Sequence, residues 1–149
     1  MAVVYIDYLI GKLNKGEEDI VVLCLWGRQV KSGAATVVTS KSGDDAWAQT
    51  WLRRQLALLG RSNVIIQGGQ EESLMAVAGK VVAQRPGRTM VRAAPRKSHA
   101  SHGPVERFNE ELQGHLRTMR QSFERDTGVA LTADHAIVRW MVRHSSWVL

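Results

Sequence analysis

Two acids stand where an acid needs a reason. Asp7 lies among Val4, Tyr5, Ile6 and Tyr8, and a carboxylate in an apolar strand needs a partner, a metal or an exit to solvent. The plain alternative is an edge-strand acid facing water or a basic neighbour. Glu106 opens a long periodic segment, where a carboxylate interacts favourably with the helix macrodipole. Its neighbours set it apart. Glu106, Asn109, Gln113, Arg117 and Arg120 recur three or four apart, offset from the apolar stripe, so one helix face offers an acid, two amides and two cations. A solvated polar face is the competing reading.

Other groups carry weaker chemistry. The Gln67-Gly68-Gly69-Gln70 run follows an apolar triplet and permits a tight turn or close backbone approach, but neither GxGxxG nor GxxxxGK[ST] is present. His99 and His102 could ligate a metal, yet no Cys or acid accompanies them locally, and surface-loop histidines near a phosphate backbone are the better reading. Cys24 is the only cysteine, which excludes a disulfide framework and a cysteine-rich zinc site and fits an intracellular, reducing compartment. No GxSxG elbow occurs, and Cys24 has no nearby base to activate it. The five tryptophans are assigned to the core rather than to base stacking.

Charge is distributed unevenly. Residues 1–74 hold eight Lys/Arg against eight Asp/Glu, whereas residues 75–149 hold twelve against six, so the whole net charge of +6 sits in the second half. Between Glu72 and Glu106 there is no acid, while Lys80, Arg85, Arg88, Arg92, Arg96 and Lys97 all fall there. Such one-sidedness points to a polyanionic partner, nucleic acid first. The longest apolar run, Ile20 to Trp26, is seven residues, far short of the roughly 20 that a membrane span needs. No basic leader resembling a secretory signal opens the chain.

The elements that must position these groups are legible as pattern. Ala2–Ile6, Ile20–Trp26 and Ala34–Thr39 read as strands, separated by turns at Asn14-Lys15-Gly16 and Lys31-Ser32-Gly33, which favours an antiparallel meander. Ser42 and Asp45 have capping-box spacing before a stripe of Ala48, Leu52, Leu56 and Leu59, and Gly60 is the expected C-cap. Val64–Ile66 is a short buried strand, Ser73–Ala83 a helix ended by Pro86-Gly87, and Thr89–Val91 a further strand. Residues 93–103 read as a loop. Pro104 then suits a first helical turn, Val105, Phe108, Leu112, Leu116, Met119 and Phe123 form the stripe, and Gly128 closes it. A last helix is expected from Thr132 as N-cap, with Ile137, Trp140, Met141, His144 and Val148 on one side. It reaches Leu149 without a stop signal, as a truncated domain would. At 149 residues the chain has room for one domain, 1–149, of mixed α/β class.

Three blocks carry a resemblance: Val4-Tyr5-Ile6-Asp7-Tyr8, then Val64-Ile65-Ile66-Gln67-Gly68-Gly69-Gln70-Glu71, then His102-Gly103-Pro104-Val105-Glu106-Arg107-Phe108-Asn109. Together they resemble the motif blocks of retroviral-type integrase catalytic cores, most closely those of Copia-type retrotransposon polyproteins. The resemblance implies an RNase H-like fold, a mixed central sheet of a three-stranded antiparallel meander plus shorter strands, flanked by helices. It implies DNA integration by metal-dependent polynucleotidyl transfer, with three carboxylates holding two Mg²⁺ or Mn²⁺ ions. Asp7 matches the first carboxylate and Glu106 the third, both catalytic and metal-ligating. The second falls on Gly69, 37 positions before Glu106, which has no side chain. The implied domain is therefore catalytically impaired unless Glu71, Glu72 or Asp45 substitutes. Arg88, Arg92, Arg96 and Lys97 are expected on DNA phosphates, and Asn109, Arg117 and Arg120 along the DNA side of the long helix. Implied partners are DNA and a second copy in a homodimer, in the nucleus or cytoplasm and without a membrane. The alternative is a non-catalytic nucleic-acid-binding or assembly module that keeps the fold and the basic face.

Overall fold

A computed structural model describes residues 1–11, 20–95 and 99–149, with side chains for all of these except 99–101. The elements follow in the order β1 (Ala2–Gly11), β2 (Ile20–Gly27), β3 (Ser32–Val38), α1 (Ala46–Leu58), β4 (Val64–Gly68), α2 (Glu72–Gln84), β5 (Thr89–Ala93), α3 (His99–Thr127) and α4 (Ala136–Val148). The five strands form one sheet in the order β3-β2-β1-β4-β5. The first three pair antiparallel, as expected of a meander, while β4 pairs parallel to β1, and β5 parallel to β4. The expected turn at 14–16 lies outside the described residues.

The alternation of β1 builds two cores. Val4, Ile6 and Tyr8 point to the side where α1 and α2 pack, meeting Leu52, Leu56, Leu74 and Val77. Val3, Tyr5 and Leu9 point to the opposite side, towards Phe108, Leu112, Met141 and Val142 of α3 and α4. Each large apolar side chain fully withdrawn from water contributes roughly 1.5–3 kcal/mol, so a slip of one residue would exchange the two sets and expose both. That same period of two sends Asp7 to the α3 side.

Helix ends differ from the sequence reading in instructive ways. Asp45 alone caps α1, its Oδ1 accepting the Ala48 N–H at 3.1 Å, while the Ser42 hydroxyl accepts from Asp44 N instead. Gly60 follows α1 with φ +65°, the left-handed conformation expected of a glycine there. Gly33, expected in a turn, belongs to β3, where a Cβ would lie 2.5 Å from the Phe108 ring. The expected loop at 93–103 is a correction: α3 begins at His99 and Pro104 sits inside it. Pro104 lacks one amide hydrogen near the start of a long helix, and the remaining turns outweigh that loss.

α4 is a second correction. It starts after His135, whose Nδ1 accepts the Ile137 N–H at 3.2 Å, while Thr132 bonds Asp134 at 2.6 Å. Its buried side is Val138, Met141, Val142, Ser145 and Ser146, so of the expected stripe only Met141 is fully buried. Two small serines allow close approach, and Ser145 Oγ meets His115 Nδ1 at 2.9 Å. The tryptophans are a third correction. Trp51 is buried, but Trp47, Trp140 and Trp147 are 40%, 55% and 81% exposed.

Candidate functional site

Asp7 stands in the middle of β1 rather than at its end, flanked by Cys24 across the antiparallel pair. One oxygen, Oδ1, accepts the N–H of Tyr8 at 2.9 Å. The other, Oδ2, accepts from Asn109 Nδ2 at 3.1 Å and lies 3.6 Å from His102 Nε2. His102, Glu106 and Asn109 are spaced four and three residues apart, so one face of α3 presents all three towards the sheet. Glu106 is consequently in the helix's third turn, not its first.

The electrostatics of this cluster centre on His102. Its imidazole is held above the ordinary histidine value, chiefly by hydrogen-bonding attraction to Asp7, with burial opposing and the charges of Asp7 and Glu106 adding to the rise. Asp7 thus faces a side chain inclined to carry positive charge. Burial, and then the charge of Asp7, push the Cys24 thiol well above its ordinary value, which leaves it unreactive. His102 Nδ1 and Asn109 Oδ1 are buried without a hydrogen-bond partner among the described residues.

Gly69 follows β4 directly. The last pair of the parallel register is Tyr5 with Gln67, so Gly69 leaves the sheet at the end towards which β1 carries Asp7. Nothing lies within 4 Å of where its Cβ would stand, and its φ is not in the left-handed region. The place is open and empty of oxygen ligands. The nearby acids are engaged elsewhere: Asp45 caps α1 and accepts from Thr39 Oγ1 at 3.0 Å, and Glu71 pairs with Lys41 at 2.7 Å. Among the described residues no three His, Cys, Asp or Glu side chains converge as a metal ion requires. A two-metal centre needs several oxygen ligands around each ion. Two carboxylates, one of them already accepting from an amide and facing an imidazole, do not fit such a centre.

The expected DNA-facing residues are scattered rather than gathered. Arg92 is on β5, its Nε donating to the buried Gln67 Oε1 at 2.5 Å, at the end of the sheet near Gly69. Arg88 precedes β5, and its carbonyl accepts from Val64 N, placing it at the far end of β4. Asn109 is turned inwards and buried, positioning Asp7 instead of lining an outer face. Arg117 and Arg120 lie about 16–21 Å along α3 from Glu106, beside a cavity of about 170 Å³ that Leu9, Val22 and Leu116 also line. Arg96 and Lys97 lie outside the described residues, as does the side chain of His99. His102, read from the sequence as a surface-loop histidine, instead faces Asp7. Its spacing to Glu106 and Asn109 is the signal in the sequence, and it has meaning only in a helix that begins at His99 and not at Pro104.

No protein-family model and no curated protein matches the sequence. Solved structures do match in shape. The HTLV-2 integrase catalytic core domain in complex with magnesium superposes in its dimeric form with a TM-score of 0.65 at 11% identity, over 99% of this chain and 84% of that one. Its trimeric form gives 0.62 at 13% identity, over 99% and 83%. A chain of the simian T-cell lymphotropic virus intasome gives 0.63 at 16% identity, over 98% of this chain and 47% of that one. With its mixed five-stranded sheet and flanking helices, the chain has the RNase H-like α/β fold in the form that integrase catalytic cores take.

Proposed function

We propose that this domain is a retrotransposon-type integrase core that engages DNA and is impaired in metal-dependent strand transfer. The observation that carries the reading is the open position at Gly69, just past the end of β4 on the side of the sheet towards which β1 carries Asp7. In an intact site of this kind, two divalent ions supply charge neutralisation at the attacking and leaving oxygens. Here the second ligand has no side chain. Asp7 and Glu106 remain as two of the three carboxylates such a site requires, and the His102 imidazole faces Asp7 in place of an ion. Arg92, Arg117 and Arg120 contribute phosphate contacts, which position DNA without reading sequence. Among the described residues no helix is long and apolar enough to cross a membrane, and a nuclear or cytoplasmic site of action accords with the single buried thiol of Cys24.

The test is Mn²⁺-dependent nicking and strand transfer on a DNA duplex by the natural chain, Gly69→Asp and Glu106→Gln. The proposal expects activity from Gly69→Asp alone, since a Cβ at that position meets nothing. Activity in the natural chain that Glu106→Gln abolishes would make it a working enzyme and sink the impaired reading. A second reading, a non-catalytic DNA-binding module, is favoured by His102 against Asp7. It expects duplex binding with all three proteins inactive.

A further inference from the structure

β5 ends the sheet on the side away from β3, and its outer edge is open. The Val64 N–H reaches the Arg88 carbonyl at 3.0 Å, and the Ala94 N–H reaches the Gly68 carbonyl at 2.7 Å. In a ladder, successive residues of a strand turn their backbone groups to opposite sides. Met90 and Arg92, in phase with those two bonds, therefore direct their N–H and carbonyl groups to β4. Thr89, Val91 and Ala93 turn theirs outward, and among the described residues no hydrogen bond meets these backbone groups. Such a row is a template for another strand. The segment Thr89–Ala93 contains no lysine, proline or acid and pairs with β4 in unbroken register. Pro86 and Pro95 bracket it, so the edge accepts about five residues of a partner strand, roughly 16 Å.

The side chains beside this edge define its complement. Val91 packs on the α1–α2 core, so Arg88, Met90 and Arg92 belong to the other face. Met90 is 46% exposed there. Arg88, two residues away, is exposed and takes part in no side-chain hydrogen bond or ion pair among the described residues. It stands at the end of β5 remote from Gly69, so the Asp7 cluster does not account for it. Two copies joined edge to edge about a two-fold axis would gather two Arg88 and two Arg92 side chains with no acid among them. A nucleic acid answers the arginine, but it offers no alternating amides and carbonyls to the edge. An extended peptide answers all three features. Its backbone continues the ladder, an apolar side chain covers Met90, and an acid two positions along reaches Arg88.

We propose that the outer edge of β5 binds an extended acidic peptide by strand addition, with an Asp or Glu two positions from an apolar residue. The experiment is an amide NMR titration of the isotope-labelled full chain with the capped heptapeptide Ser-Glu-Val-Ile-Val-Thr-Ser. The amides of Thr89, Val91 and Ala93 should shift and gain protection from hydrogen exchange, while those of Met90 and Arg92, already bonded to β4, keep the protection they have. Val91→Pro removes the central outward amide and leaves the β4 ladder in place, and it should weaken binding by at least about five-fold. Val91 also packs on the core, so Arg88→Glu, at an exposed position, decides the matter if the first variant unfolds. It should weaken this peptide about five-fold and favour, by a similar factor, the peptide carrying lysine in place of glutamate. A cooperative thermal transition matching that of the natural chain verifies folding. Absence of shifts at the three outward amides overturns the proposal, as does an Arg88→Glu variant that binds both peptides as the natural chain does. Protection of the same amides that grows with protein concentration, without peptide, would assign the edge to a second copy. Protection of them by duplex DNA would assign it to nucleic acid, and either result overturns the proposal.

Discussion

Asp7 owes its surroundings to three separate residues: the backbone of Tyr8, the amide of Asn109 and the imidazole of His102. A carboxylate with that many favourable neighbours is stable without a metal ion, because each donor offsets part of its desolvation. The same strand pair isolates Cys24, which is fully buried beside that negative charge. The thiolate is the reactive form, and both burial and Asp7 oppose it. Cys24 should therefore resist Ellman's reagent at pH 8 in the native protein and react at once in denaturant. Rapid native labelling would mean that β1 and β2 separate readily. Asp7, Glu106 and Gly69 were recognisable from the sequence because their flanking motifs are short and local. His102 was not, because its role depends on a helix boundary that Pro104 disguised.

At the scale of elements, the sheet and its two cores account for most of what positions the site. The strands and α1, α2 and the body of α3 follow from apolar periodicity, which is a local property of the chain. What periodicity does not specify is which side of an element finds neighbours. α4 illustrates this: two stripes could be read along it, and the one with Ser145 and Ser146 is buried because small residues let it approach α3 and β3 closely. Gly33 makes the same point on β3, where absence of a side chain admits the Phe108 ring. Gly33→Ala should destabilise the domain by about 1–3 kcal/mol through overpacking, measured as a fall in the urea midpoint at constant m-value. A shift of zero would show that Phe108 can swing aside. Phe108 also touches Trp26, with centroids 5.6 Å apart, so its freedom is restricted.

The net charge of +6 is confined to the second half of the sequence. Folding distributes those cations over several separate places: Arg92 at the β4–β5 end, Arg117 and Arg120 midway along α3, and Arg139 and Arg143 at a groove beside β3. DNA binding should accordingly weaken with salt, by about 0.9 log units per log unit of salt for each phosphate neutralised. Arg117→Ala should lower that slope by about one contact without altering sequence preference. Duplex titrations at several salt concentrations measure it, and an unchanged slope would remove α3 from the DNA path.

The sequence by itself determined the class of fold and the order of its strands and helices, and it assigned Asp7 to the first strand, Gly69 to the turn after β4 and Glu106 to the long helix, since each depends on residues close together in the chain. Only the tertiary structure decided that His102 and Asn109 close around Asp7, that the Arg92 end of β5 and not its Arg88 end lies near Gly69, and that three tryptophans face outward beside Arg54, Arg139 and Arg143. Those outcomes depend on strand register and on which helix face meets the sheet. Both are set by contacts between segments distant in sequence, and no local pattern carries them.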